Sequence, residues 1–384
     1  MADSDQQAAL DARVVRLARL HEQDRGNLPL LCDLVDARLA AGQIDAATEE
    51  ATAGLERFPG APELQFRLAS CALARRDFAE ADKLLARLME RGYDAIPFRY
   101  NRALALLWLG NADESYCLLQ PALPEWRQYP PIKLLLARLC HLRGELSEGL
   151  DAVSEFLATR PGSAEGHGVL ALLAYDTDDW DTARAAATDA LRADSAQFEA
   201  RLVQTGLALA ANDSAGARAA IEDVVQTRPD SGRAWSLYAQ VEMLDSRLDK
   251  AERHIEQAVR HMPNHIGTWH LLAWIQLLDG RLKDTRRSLT RALELNRNFA
   301  ETHGALAVVE ALEGNVQAAR DDIKRASRLG GASSFAAQYA ESVLLERAGD
   351  REKSRAIIDA ILDAPSMIPG KRFRQLIKDS LDRG

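Results

Sequence analysis

The chain has 384 residues and a formal charge of −9, with 47% hydrophobic and 27% charged side chains. That acidic balance argues against nucleic acid as a partner, because phosphate binding requires a basic footprint. Four cysteines in such a length exclude a disulfide scaffold, and no apolar run is long enough to span a bilayer.

In chain order, the start from Met1 to Leu10 is polar and acidic, unlike a secretory leader. Residues 8–21 place Leu10, Val14, Leu17 and Leu20 at i, i+4, i+7 and i+10, which predicts an amphipathic helix closing the N-terminal side within residues 1–27. Beyond it the sequence repeats at a step of 34 residues. One column at that step runs Ala47, Ala81, Ser115, Gly149, Ala183, Ala217, Ala251, Thr285, Ala319; a second runs Val35, Ala69, Ala103, Ala137, Ala171, Thr205, Ala239, Ala273, Ala307. Both hold small or slim side chains, as two facing contact points require. Between them lies a turn column of Gly42, Arg76, Gly110, Gly144, Asp178, Asn212, Ser246, Gly280 and Gly314, mostly residue types that stop helices. Each repeat therefore reads as helix, turn, helix. Pro59, Pro161, Pro229 and Pro263 mark the hand-over to the next repeat. Leucine in place of Ala251 is expected to cost about 1–3 kcal/mol by overpacking.

With this unit length, an aromatic at the fourth place (Trp235, Trp269), Leu-Ala at the seventh and eighth (Leu68–Ala69, Leu170–Ala171, Leu306–Ala307), alanine at the twentieth and proline at the thirty-second, the chain resembles the tetratricopeptide repeat family. The resemblance implies an all-α, right-handed superhelical α-solenoid of about ten repeats over residues 28–366. Repeats start at 28, 62, 96, 130, 164, 198, 232, 266 and 300, and a tenth follows one residue out of register at 335. Residues 367–384 carry Phe373, Leu376, Ile377 and Leu381 among basic residues and read as a C-terminal capping helix. The one irregular join lies between Pro121 and Pro131, where Trp126 and Tyr129 are expected to be covered by neighbours. Absence of a flexible linker suggests one continuous domain.

Chemistry-bearing motifs are lacking. There is no phosphate-cradling loop, HExxH or GxSxG, so no catalytic residues, metal or cofactor are assigned. Cys32, Cys71, Cys117 and Cys140 are too widely spaced for a zinc site and read as core residues in a reducing, cytoplasmic setting. His254, His261, His265 and His270 read as turn and cap histidines, with Pro263 and Asn264 breaking the helical face between two of them. Arg281, Lys283, Arg286, Arg287 and Arg291, then Arg320, Lys324, Arg325 and Arg328, form a basic tract that suits an acidic protein segment better than DNA. Alanine richness and a preference for arginine over lysine match the coding of GC-rich bacterial genomes.

The resemblance implies that first helices line a concave wall through places two, five, nine, twelve and thirteen. Transferred to the middle repeats, these places hold Tyr100, Leu104, Leu107, Trp108, Leu134, Arg138, His141, Leu142, Leu172, Tyr175, Leu202, Leu209, Gln240, Met243, His270, Trp274, Leu277 and Leu278. Such a wall suits an apolar or amphipathic segment of a client protein. The expected function is a non-enzymatic interaction scaffold, chaperone-like or an assembly adaptor. The alternative is an accessory subunit that positions a separate enzyme or transcription regulator.

Overall fold

A computed structural model describes residues 2–330, 334–364 and 374. Among them the chain is all helical, apart from turns and one 3-10 segment at Gln120–Glu125. The helices group into two compact halves, Met1–Thr177 and Asp178–Gly384. The division falls inside the fifth repeat, between its two helices.

In the N-terminal half, α1 (Ala2–Gln23) precedes α2 (Leu28–Ala40), α3 (Ile44–Arg57), α4 (Pro62–Ala74) and α5 (Phe78–Glu90). There follow α6 (Ile96–Trp108), α7 (Ala112–Leu119), α8 (Pro131–Arg143), α9 (Leu146–Thr159) and α10 (Ala164–Asp176). The C-terminal half holds α11 (Trp180–Ala193), α12 (Phe198–Ala210), α13 (Ser214–Thr227), α14 (Gly232–Leu244), α15 (Leu248–His261) and α16 (Ile266–Leu278). It continues with α17 (Leu282–Leu295), α18 (Ala300–Glu313), α19 (Val316–Gly330), α20 (Phe335–Arg347) and α21 (Arg351–Asp363). Even-numbered helices from α2 onward are the first helices of their repeats.

Left-handed backbone ends the first helix of every repeat. Gly42, Gly110, Gly144, Gly280, Gly314 and Gly349 have φ between 73° and 87°, and Arg76, Asp178, Asn212 and Ser246 adopt the same conformation at 58–62°. Reversing the chain there lets the next N–H bond back to the helix: Asp77 to the Ala72 carbonyl at 2.8 Å, Asn111 to Leu106 at 2.9 Å, Glu145 to Cys140 at 2.8 Å. Gly349 shows that the tenth repeat is shifted by one residue.

Both small columns are buried. From Ala47 to Ala319 and from Val35 to Ala307, every alanine and valine of the two columns is at most 2% exposed. They meet directly in the third repeat, where the Ser115 hydroxyl donates to the Ala103 carbonyl at 2.6 Å. At Gly149 an added Cβ would lie 3.0 Å from Leu173 Cδ2 and 3.3 Å from Cys140 Cβ, so the slim residue permits that approach.

The fourth place has a function beyond filling space. Trp235 and Trp269 donate their indole N–H to the carbonyls of Pro229 and Pro263, each at 2.8 Å. His167 and His303 lie 2.8 and 2.9 Å from the carbonyls of Pro161 and Arg297 through Nε2, and Arg201 Nε donates to Ser195 at 2.8 Å. A carbonyl only accepts, so both histidines carry their proton on Nε2. In repeats five to nine this place carries an N–H donor that reaches the carbonyl six residues upstream and pins the inter-repeat turn.

In α1 the apolar stripe differs from the expected one. Val14 and Leu17 are buried against Leu34 and Ala37 with Leu10 alongside, whereas Leu20 is 44% exposed and His21 is buried. Eleven residues make almost three whole turns, so His21 continues the line from Leu10 and Leu20 falls to its side. The expected C-terminal capping stripe lies outside the described residues; Arg374 nearby pairs with Asp359 and Asp363 at 2.8 Å. At the irregular join, Trp126 and Tyr129 pack against the core of the N-terminal half, with the Lys133 ammonium 5.4 Å from the Trp126 ring centre.

Candidate protein-binding surface

First helices touch in series within each half, as in α2, α4, α6, α8 and α10, and again in α12 with α14 and α18 with α20. Second helices wedge between the first helices before and after them. Within each half, the outward places of these first helices form the candidate surface.

In the N-terminal half the layer mixes aromatic and charged groups. Tyr100 of α6 meets Tyr129 edge-on with ring centres 5.2 Å apart, and burial pushes its hydroxyl up to about 12. Trp108 stacks on Phe78 at 6.0 Å, with the Arg76 guanidinium 5.7 Å from the indole centre. Between α8 and α10, His141 Nε2 lies 2.6 Å from Asp176 Oδ2, and Arg138 lies 3.9 Å from Glu165. Leu107, Leu134 and Leu172 are 9% exposed or less, which makes them filler between helices rather than surface. Leu104 and Tyr175 are half-buried. Leu142, by contrast, is 56% exposed.

The C-terminal half repeats that division. Leu202 is buried and Leu209 half-buried. Gln240 bonds back to the Ser236 carbonyl of its own helix at 3.3 Å, and Met243 packs beside Ala239, Ile255 and Leu272. His270 is held 2.8 Å from the Thr302 hydroxyl and edge-on to Phe299; burial pushes its imidazole down to about 4. Trp274 and Leu277 are half-buried against Ala307, Val308 and Ala311 of α18. Leu278 is 61% exposed, and like Leu142 it occupies the thirteenth place of its repeat.

Other aromatic side chains join these surfaces. Phe66 of α4 contacts Phe98 at 4.7 Å between ring centres, and Tyr93 stacks on Phe98 at 6.2 Å. Phe299, Phe335 and Tyr339 are each about two-fifths exposed. Phe66 and Tyr339 hold the fifth place of their repeats, like Tyr100 and His270, so extending the place rule to the second and tenth repeats would have found them. Phe299 stands in the cap position before α18, where no place rule points.

The other histidines are structural. His265 caps α16, with Nδ1 3.2 Å from the Thr268 amide. His254 stacks against Trp235 and Tyr238, with ring centres 5.4 and 4.2 Å away. Cys140, Glu145 and Glu148 come within reach of one another. Burial pushes the Cys140 thiol up to about 12, and Glu145 forms an ion pair with Arg143 at 2.8 Å, so this trio offers a neutral thiol and a committed carboxylate, a poor donor set for a metal.

Family models described as tetratricopeptide repeat match residues 39–107 and 207–265. No curated protein matches the chain. Among solved structures, the chain is similar to one titled as the APC/C hetero-tetramer Cut9-Hcn1, at 13% identity over 85% of this chain and 78% of that one, with a TM-score of 0.43. It is also similar to PilF of Pseudomonas aeruginosa, at 15% identity over 58% of this chain and 99% of that one, TM-score 0.44. MamA of Desulfovibrio magneticus RS-1 shares 20% identity over 44% of this chain and 94% of that one, TM-score 0.35. The chain thus carries tetratricopeptide repeats where the family models match, within an all-α solenoid fold of 34-residue helical hairpins and left-handed turns.

Proposed function

We propose that the chain is a non-enzymatic adaptor whose first-helix surfaces hold an apolar or amphipathic segment of a client protein, in a chaperone-like or assembly role. Tetratricopeptide repeats support a protein-interaction scaffold in general. The observation that carries the finer reading is the paired exposure of Leu142 and Leu278. Among the described residues they are the most exposed of the large apolar side chains, and they occupy the same place in two repeats. An aliphatic side chain standing in solvent beside polar groups gains by being covered with a partner's apolar segment. Arg138 and His141 beside Leu142 supply the polar rim in the N-terminal half. A cytoplasmic setting accords with four free cysteines, three of them buried, and no described helix is long and apolar enough to cross a membrane.

The test is titration of the purified chain with a leucine-rich amphipathic helical peptide. Leu142→Ser together with Leu278→Ser is expected to weaken binding by about 1–2 kcal/mol while helical circular dichroism stays unchanged. These positions isolate binding better than Trp274, whose ring packs on α18 and whose truncation would also loosen the fold. Equal affinity of parent and double variant would remove the first-helix surface as the site.

A further inference from the structure

The basic tract of the C-terminal half divides into two parts. In the first, on α17 and the turn before it, most charges are spent internally: Arg281 on Glu252, Asp279 and Asp284, Arg286 on Glu310 and Glu313, Arg287 on Asp284 and Arg291 on Glu294. In the second, around the turn before α18 and the end of α19, the structure opens a notch of ≈ 380 Å³ walled by Arg297, Arg325 and Arg328, with Leu293, Leu329 and His303 beside them. Among the described residues no carboxylate pairs with Arg297 or Arg328. Asp322, beside this wall, lies 3.3 Å from His303 and 3.8 Å from Arg325. The notch is also firmly mounted, because His303 holds the Arg297 carbonyl at 2.9 Å. Leu329 adds a 44% exposed aliphatic surface at the same spot. In a chain of net charge −9, a cationic notch with an aliphatic border fits the opposite chemistry.

We propose that this notch docks an acidic segment of a partner protein, its glutamate or aspartate carboxylates on Arg297, Arg325 and Arg328 and an aliphatic side chain against Leu293 and Leu329. The site stands apart from the first-helix surfaces and does not depend on them. The test is fluorescence anisotropy of the full chain with a labelled peptide of glutamates interspersed with leucines. Arg297→Glu with Arg328→Glu is expected to weaken binding roughly tenfold or more, and raised salt is expected to weaken the parent complex. Lys283→Glu, an exposed cation outside the notch, is expected to shift affinity by less than about twofold. The glutamine-for-glutamate peptide should bind far more weakly. If the reversed pair disturbs the fold, Arg297→Gln with Arg328→Gln repeats the measurement at lower perturbation. Equal loss in Lys283→Glu, equal binding of the glutamine peptide, or tighter binding of a single-stranded oligonucleotide than of the acidic peptide would each overturn the proposal.

Discussion

Two runs of repeats, one in each half, are joined by different chemistry at one and the same place. At the eleventh place of the first helix, repeats two to five set Ala72, Leu106, Cys140 and Ala174, all at most 1% exposed, whereas the first repeat sets Arg38, paired with Glu50 at 3.1 Å. Repeats seven to nine set Glu242, Gln276 and Glu310 there, also buried, whereas the sixth and tenth repeats keep the apolar Ala208 and Leu345. Each buried polar group is answered from the preceding second helix: Arg218 grips Glu242 at 2.7 and 3.1 Å, Glu252 accepts from Gln276 at 3.4 Å, and Arg286 pairs with Glu310. Further donors complete these groups, Arg247 to Glu242 at 2.8 Å and Ser288 to Gln276 at 2.8 Å. An apolar joint needs only matching volume. A buried ion pair must be satisfied in one geometry, so it adds register at little net stability and makes the joint sensitive to pH.

Removing one side of such a joint should have the largest effect. Glu242→Ala leaves Arg218 and Arg247 facing a vacated site and is expected to destabilise the C-terminal half by about 3 kcal/mol. Paired replacement, Glu242→Leu with Arg218→Met, is expected to stay within about 1 kcal/mol of the parent, which denaturation of both variants would check. Two similar losses would show that the joint is held by its charges rather than by fit.

Acid should separate the halves next. Burial alone would raise the Glu242 carboxyl, but the Arg218 hydrogen bond and neighbouring cations outweigh it and hold it below its ordinary value; the Arg286 hydrogen bond does the same for Glu310. A lowered carboxyl stabilises the fold above its unfolded value and loses that contribution as pH falls through the folded one. His270 acts earlier: with its imidazole pushed from 6.5 down to about 4, its contribution is complete above 6.5 and disappears toward 4, on the order of 2–3 kcal/mol. Hydrogen exchange at falling pH should therefore release α14–α18 before α2–α8. Simultaneous release, or release of the N-terminal half first, would contradict the contrast.

A smaller effect is expected at the turn-pinning column. Trp235→Phe and Trp269→Phe keep the ring but free the carbonyls of Pro229 and Pro263, for an expected cost of about 1 kcal/mol each. Smallest is Ser246→Gly, which relieves a left-handed non-glycine residue at φ 58° and should stabilise by about 0.5 kcal/mol in thermal melts.

The helical hairpins were legible because a small side chain at a crossing and a left-handed turn are local demands that recur at a fixed step. Arg76 and Ser246 could be placed in the turn column only because turn-forming residues flank them at that step, Gly42 and Gly110 for the first and Asn212 and Gly280 for the second. What escaped depended on partners in the next repeat. A glutamate at the eleventh place looks like solvent-facing helix until Arg218 is brought to it, and Trp235 and His167 share an N–H rather than size. Place numbers alone could not separate Leu134 and Leu202, which are buried between helices, from Leu142 and Leu278, which stand exposed.

The proposed binding role is tested most directly by hydrogen–deuterium exchange with and without the amphipathic peptide. It predicts slowed exchange in the first helices α8 and α16, around Leu142 and Leu278, with the second helices α9 and α17 unchanged. Slowed exchange confined to the second helices, or none at saturating peptide, would contradict it.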